Sequence, residues 1–223
     1  MRLWVALMAC VMLLACGEPV PSSGAARIIA TGDSMLAWNA ASKKSVASEL
    51  ERRLGTQVID RSVVGARYHY VLPVSGSLGL RIGSQYRSGP WDWVVMNGGG
   101  NDLWLGCGCS KCEAQLNRLI AEDGSSGTVV TAVKRARADG ARVAYVGYLR
   151  TPGRGSIIDH CRTWGDRFET RLARMAARDA GVTFVSVADL VPHGDLSFHD
   201  IDRIHPSAKG SAAIAARIAA IIR

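Results

Sequence analysis

The stretch Arg27–Asn39, "RIIATGDSMLAWN", runs through apolar residues and then sets Thr31, Gly32, Asp33 and Ser34 side by side. "RIIAT" reads as a short strand, and helical spacing begins at Leu36. Ser34 therefore stands where a strand ends and a helix starts. It is either a helix cap or a nucleophile held at the end of a strand.

The pattern repeats along the chain. The spacing predicts a helix over Leu36–Leu54, stopped by Gly55. "QVIDRSVV" (57–64), "WDWVVMN" (91–97), "ARVAYVGY" (141–148) and "VTFVSV" (182–187) read as four further strands. Helices are expected over Thr128–Asp139, ending at Gly140, and over Cys161–Ala180, ending at Gly181. "PSAKGSAAIAARIAAII" closes the chain as a helix with Pro206 near its first turn. Alternating strands and helices argue for an α/β fold, a parallel sheet covered on both faces. The nearly unbroken apolar strands agree, since central parallel strands are buried on both sides. In such sheets ligands bind beyond the carboxyl ends of the strands. Those ends lead into Gly32–Ser34, Gly65–Tyr70, Gly98–Asp102, Tyr148–Arg154 and the stretch after Val187.

The amino terminus is not fold material. Arg2 and the apolar run "LWVALMACVMLLAC", ending in the small residues Ala15 and Cys16, read as a secretory signal over residues 1–16. The run is short for a membrane span, which needs roughly 20 apolar residues. "LLAC" before Gly17 resembles a bacterial lipobox and points to a lipid anchor at Cys16; ordinary cleavage nearby or an uncleaved anchor are the alternatives. Residues 17–26, rich in Pro, Ser and Gly, form a flexible tether. Residues 27–223 are then one domain, exported to the periplasm or held on a bacterial envelope.

With 48% hydrophobic residues the domain has ample material for a core. The formal charge is +8, but the basic residues are scattered, which excludes a nucleic-acid stripe. Cys107, Cys109, Cys112 and Cys161 remain outside the leader. An even count in an exported chain favours disulfides, with three pairings open. Zinc is the rival reading of "CGCSKC"; Cys109 and Cys112 have zinc spacing, whereas Cys107 and Cys109 do not. Free or redox-active thiols are the third option.

A Ser hydroxyl needs a base within hydrogen-bond reach. "GDSML" is not the G-x-S-x-G elbow, because position 36 is Leu. The candidate bases are His69, His160, His193, His199 and His205. His205 stands out, because Asp202 precedes it by three residues and that spacing can bring a carboxylate to Nδ1. "NGGGND" lacks the Lys of a phosphate loop and does not satisfy G-x-G-x-x-G. It offers instead the Asn101 amide as a donor beside flexible backbone. Gly65 and Ser34 could add backbone N–H groups, giving an oxyanion hole. Asp33 and Asp102 read as turn braces.

Together these blocks resemble the SGNH hydrolase superfamily, the GDSL esterases and lipases. "GDSM" at Gly32–Met35 matches its nucleophile block, with Met35 for the usual Leu; Gly65 in "SVVGARY" matches its glycine block. Gly99–Asp102 match its G-x-N-D block, and Asp202–His205, followed by Pro206, its D-x-x-H block. The blocks occur in the family's order and span nearly all of the domain. The resemblance implies a flavodoxin-like three-layer α/β/α sandwich and a triad of Ser34, His205 and Asp202. It further implies oxyanion donors at Ser34, Gly65 and Asn101, with neither metal nor cofactor. The expected substrate is a small-molecule or glycan-linked ester, with short-chain or acetyl esters favoured because no long apolar lid is visible. Lysophospholipase, thioesterase or sugar-transferase activity are alternatives. So is a non-catalytic glycan- or lipid-binding envelope protein, although a binding module has no need for the full set. Tyr68, His69, Tyr70 and Trp104 are expected at the mouth. The cysteines are expected to pin the loop after Asn101, with Cys161 as a partner.

Overall fold

The computed structural model describes residues 26–70, 78–153 and 155–222. The signal, Cys16 and the tether up to residue 25 lie outside these, as does Arg154. Strands β1 (Ile28–Thr31), β2 (Val58–Asp60), β3 (Trp93–Met96), β4 (Arg142–Val146) and β5 (Val182–Val185) form one parallel sheet in the order β2-β1-β3-β4-β5. This is the flavodoxin-like order, with a switch point between β1 and β3.

Successive strand residues face opposite layers. Ile29, Ile59, Val94, Met96, Val143 and Tyr145 belong to one apolar cluster. Ile28, Ala30, Val58, Val95, Ala144 and Val146 belong to the other. Helices α1 (Ser34–Ala37), α2 (Val46–Leu54) and α7 (Ala208–Ile222) cover the second face through Leu36, Leu50 and Ile214. Helices α3 (Gly100–Cys107), α4 (Glu113–Leu119), α5 (Thr128–Ala138) and α6 (Arg162–Ala176) cover the first through Leu103, Leu116, Val133 and Leu172. The three layers follow from period-two patterning of strands with apolar residues on both sides. Among the described residues no helix is long and apolar enough to cross a membrane.

Several boundaries differ from the sequence expectation, each for a local reason. The helix expected over Leu36–Leu54 is broken: Asn39 and Lys43 take left-handed φ values of 68° and 55° around a short 3-10 turn. Asn39 leaves the helix to donate its side-chain amide to Pro206 O at 2.9 Å. The chain re-enters at Ser45, whose hydroxyl caps Ser48 N–H. Strand β2 stops at Asp60, because Oδ1 of Asp60 accepts Ser62 N–H at 2.9 Å and turns the chain. Helix α6 starts one residue later than expected and ends at Ala176. Helix α7 begins at Ala208, so Pro206 lies before its first turn, bridged to His199. Helices over Gly100–Cys107 and Glu113–Leu119 are not among the sequence expectations: the glycines and cysteine of the first mimic a loop, and the second is only seven residues long and follows the Cys-rich turn directly.

The four cysteines among the described residues are paired, Cys107 with Cys112 and Cys109 with Cys161. Their sulfurs are therefore bonded to each other and are not thiolate ligands, which removes the zinc reading. The second bridge ties the turn after α3 to the residue before α6. Its 52-residue separation makes it the larger entropic clamp, worth about 4 kcal/mol in the chain-entropy account. The double substitution Cys109→Ala/Cys161→Ala should lower unfolding stability by about 2–4 kcal/mol, read from the urea midpoint. An unchanged midpoint would contradict this role.

Candidate active site

The site is built at the switch point, where β1 and β3 end side by side. Asp33 caps α1, its Oδ1 accepting Met35 N–H at 2.9 Å. Ser34 is thus the first helical residue and not the cap. Its N–H is one of the donors a helix start leaves without an intrahelical partner. The turn is braced by a residue that sequence reasoning missed. Gln85, fully buried, accepts Gly32 N–H at 2.6 Å and donates to Gly32 O and Gly79 O, each at 2.8 Å.

His205 Nε2 lies 2.9 Å from Ser34 Oγ, and His205 Nδ1 lies 2.5 Å from Asp202 Oδ2. The other Asp202 oxygen accepts the N–H groups of Ile204 and His205 at 2.9 and 3.0 Å. One carboxylate thus folds its own turn and orients the imidazole. Burial pushes the Asp202 carboxyl up, but the hydrogen bonds from His205 and Ile204 outweigh it and hold it below the ordinary value.

Asn101 lies in the first turn of α3 and lines a cavity of about 130 Å³ together with Ser34 and His205. One amide hydrogen goes to Ala66 O at 3.2 Å. An amide carries two N–H donors, so the second remains for a ligand. The same bond ties the Gly65 loop to α3. Gly65 itself does not line the cavity; it reaches the site's neighbourhood through Ala66. A Cβ at Gly65 would meet nothing within 4 Å, so its φ of 78° is what favours glycine there.

Tyr148 joins the two loops. Its hydroxyl donates to Asp33 Oδ2 at 2.6 Å and accepts Gly100 N–H at 2.8 Å. The approach is close enough that a Cβ on Gly100 would sit 2.7 Å from the Tyr148 ring. Burial pushes the Tyr148 phenol well up, so it keeps its proton for this bond. Asp102 does brace a loop, accepting Tyr68 N–H and His69 N–H at 2.9 and 2.8 Å.

The mouth differs in part from expectation. Trp104 lines the cavity, whereas Tyr68, His69 and Tyr70 do not. Tyr68 is buried against Tyr145, and Tyr70 lies under Arg67. His69 Nδ1 faces the Gln115 amide at 3.0 Å, and Nε2 faces Thr128 Oγ at 2.7 Å. Because Gln115 donates to Nδ1, Nε2 is the protonated nitrogen and Thr128 the acceptor. His69 is therefore a latch and not a second base. Burial pushes its pKa down, in keeping with a neutral ring. His199 is buried without a ring hydrogen bond among the described residues, and His160 is exposed beside Cys161. His205 is the histidine that meets Ser34 among the described residues.

Burial also raises the Asp33 carboxyl, to about 6 from an ordinary 3.8. An acid raised on folding holds its proton more tightly in the fold. Its contribution to stability is full below the unfolded value and is lost as pH rises towards 6. The stability difference between wild type and Asp33→Asn should therefore change by about 2 kcal/mol between pH 4 and 6, in favour of Asn. A difference independent of pH across that window would contradict the burial argument.

Comparison with known proteins addresses the fold and the family. The GDSL-like lipase/acylhydrolase family matches residues 30–213. A search of curated proteins finds no match. Among solved structures, a candidate platelet activating factor from Streptococcus pneumonia superposes with a TM-score of 0.64 at 15% identity, covering 100% of both chains. A candidate SGNH hydrolase from Slackia heliotrinireducens gives 0.61 at 21% identity, covering 88% of this chain and 98% of the other. A carbohydrate esterase family 2 enzyme from Corynascus thermopiles gives 0.58 at 19%, covering 92% and 67%. At these identities the likeness is one of fold, and the family assignment rests on the match across residues 30–213. The chain belongs to the GDSL-like lipase/acylhydrolase family.

Proposed function

We propose that this protein is a serine esterase that cleaves short-chain or acetyl esters through an acyl-enzyme. The observation that carries the reading is the line Asp202–His205–Ser34, with links of 2.5 and 2.9 Å, opening on a cavity that Asn101 also lines. In this reading His205 Nε2 takes the Ser34 proton while Oγ attacks the ester carbonyl. The carbonyl oxygen becomes an oxyanion facing Ser34 N–H and the free Asn101 amide hydrogen, while Gly65, outside the cavity wall, shapes the loop that Asn101 holds through Ala66. His205 then gives its proton to the leaving alcohol. Water, deprotonated in turn by His205, releases the acid and restores Ser34. Asp202 keeps the imidazole in the tautomer that accepts at Nε2 and stabilises the imidazolium.

The short-chain preference rests on the cavity. Its volume of about 130 Å³ is walled by Met35, Leu103, Leu149, Ile158 and Phe168. Pockets for drug-sized ligands run to roughly 300–1,000 Å³. Export is part of the same proposal. It draws on the leader at residues 1–16 and on two disulfides, which persist in oxidising compartments. Anchoring through Cys16 is testable by labelling with a fatty-acid analogue in a bacterial host: incorporation should be lost in Cys16→Ala, and an unlabelled wild type would remove the anchor.

Ser34→Ala should abolish hydrolysis of p-nitrophenyl acetate while leaving the far-UV spectrum unchanged. A folded variant that keeps most of its turnover would refute the nucleophile. Asn101→Ala should lower kcat by about 10²–10³ with little change in KM. An effect confined to KM would remove Asn101 from the oxyanion site. Acetyl and butyryl esters should outrun decanoyl esters in kcat/KM, and the reverse order would overturn the short-chain reading.

A further inference from the structure

The Trp38 indole lies flat on the His205 imidazole, with ring centroids 3.8 Å apart and planes 5° from parallel. Trp38 sits four residues after Ser34, at the C-terminal cap of the helix that Ser34 begins, and its N–H donates to Ser34 O at 2.9 Å. One short turn thus carries both the hydroxyl and the aromatic face. The indole is itself tethered, Nε1–H donating to Asp200 Oδ2 at 2.8 Å. Asp200 N–H in turn donates to His205 O at 2.8 Å. The contact is therefore anchored at both ends and is not a chance meeting of two rings.

We infer that Trp38 is a positioning residue for His205 in the proposed ester hydrolysis. The hydrogen bonds to Asp202 and Ser34 fix the two nitrogens along one line but leave the ring free to roll about that line. The indole face stops that roll. It also presents π density to the imidazolium formed when Ser34 gives up its proton, an attraction that strengthens as the cation develops. The benefit therefore falls in the transition state and shows in kcat more than in KM.

The inference rests on the esterase reading, and the test separates the two. Wild type, Trp38→Phe, Trp38→Leu and Trp38→Met are compared on p-nitrophenyl acetate, with Ser34→Ala alongside and folding checked by thermal melting. The indole is partly exposed, and either aliphatic variant that folds suffices. Trp38→Leu or Trp38→Met should lower kcat roughly five- to thirty-fold with KM within about twofold. Trp38→Phe, which keeps a flat face, should recover most of the loss. Wild-type kcat in a folded aliphatic variant would overturn the inference. So would a Phe variant as impaired as the aliphatic ones, or a loss confined to KM. Activity retained in Ser34→Ala would instead bring down the esterase reading itself.

Discussion

The 2.9 Å contact between Ser34 Oγ and His205 Nε2 joins positions 171 residues apart in sequence. Most of what is distinctive in this molecule supports that contact. The sheet order brings the end of β1 to a switch point, where loops diverge to opposite faces and leave room for a ligand. Helix α7 and the turn before it then return the chain's last polar block to the same edge. Neither end of the hydrogen bond is held by its own residue alone. Gln85 and Asp33 fix the serine turn, and Asp202 and Trp38 fix the imidazole.

Tyr148 has a comparable role between the loops. Through one hydroxyl it satisfies a buried carboxylate oxygen on Asp33 and the Gly100 N–H. Its position after β4 means that the loops following β1, β3 and β4 are tied together before any substrate arrives. The Asn101–Ala66 bond adds the loop after β2. Such pre-organisation is what an oxyanion site requires, because donors already in place need not reorganise as charge develops. The Cys109–Cys161 bridge extends the same restraint outward, both cysteines lining the cavity wall.

Much of this was legible in the residues. The five strands were readable because parallel strands buried on both sides leave continuous apolar runs. Ser34, Asn101, Asp202 and His205 were readable because each follows a strand or enters a helix in a short, ordered block. Gly65 was harder, since a lone glycine reports only backbone freedom. What escaped was set by tertiary partners. Gln85, Tyr148 and Trp38 carry no local signal for the atoms they meet, although the four-residue offset of Trp38 from Ser34 is a helix-face relation that could have been used. Helix α3 was hidden because Gly and Cys score poorly for helix, while packing of Leu103 into the core overrides that propensity; α4, made of good helix formers, was hidden by its seven-residue length beside the Cys-rich turn. Cys161 was expected as a partner for the loop after Asn101, and it is one; which of the three loop cysteines it takes depends on where α6 docks, which no spacing rule contains.

The account stands or falls on whether Ser34 is a nucleophile activated by His205. Labelling with a fluorophosphonate, followed by peptide mass spectrometry, reads this directly. The account predicts one modified peptide carrying the adduct on Ser34, with labelling slowed by orders of magnitude in a folded His205→Ala variant. An unlabelled Ser34, or labelling that proceeds at the same rate without His205, would contradict it.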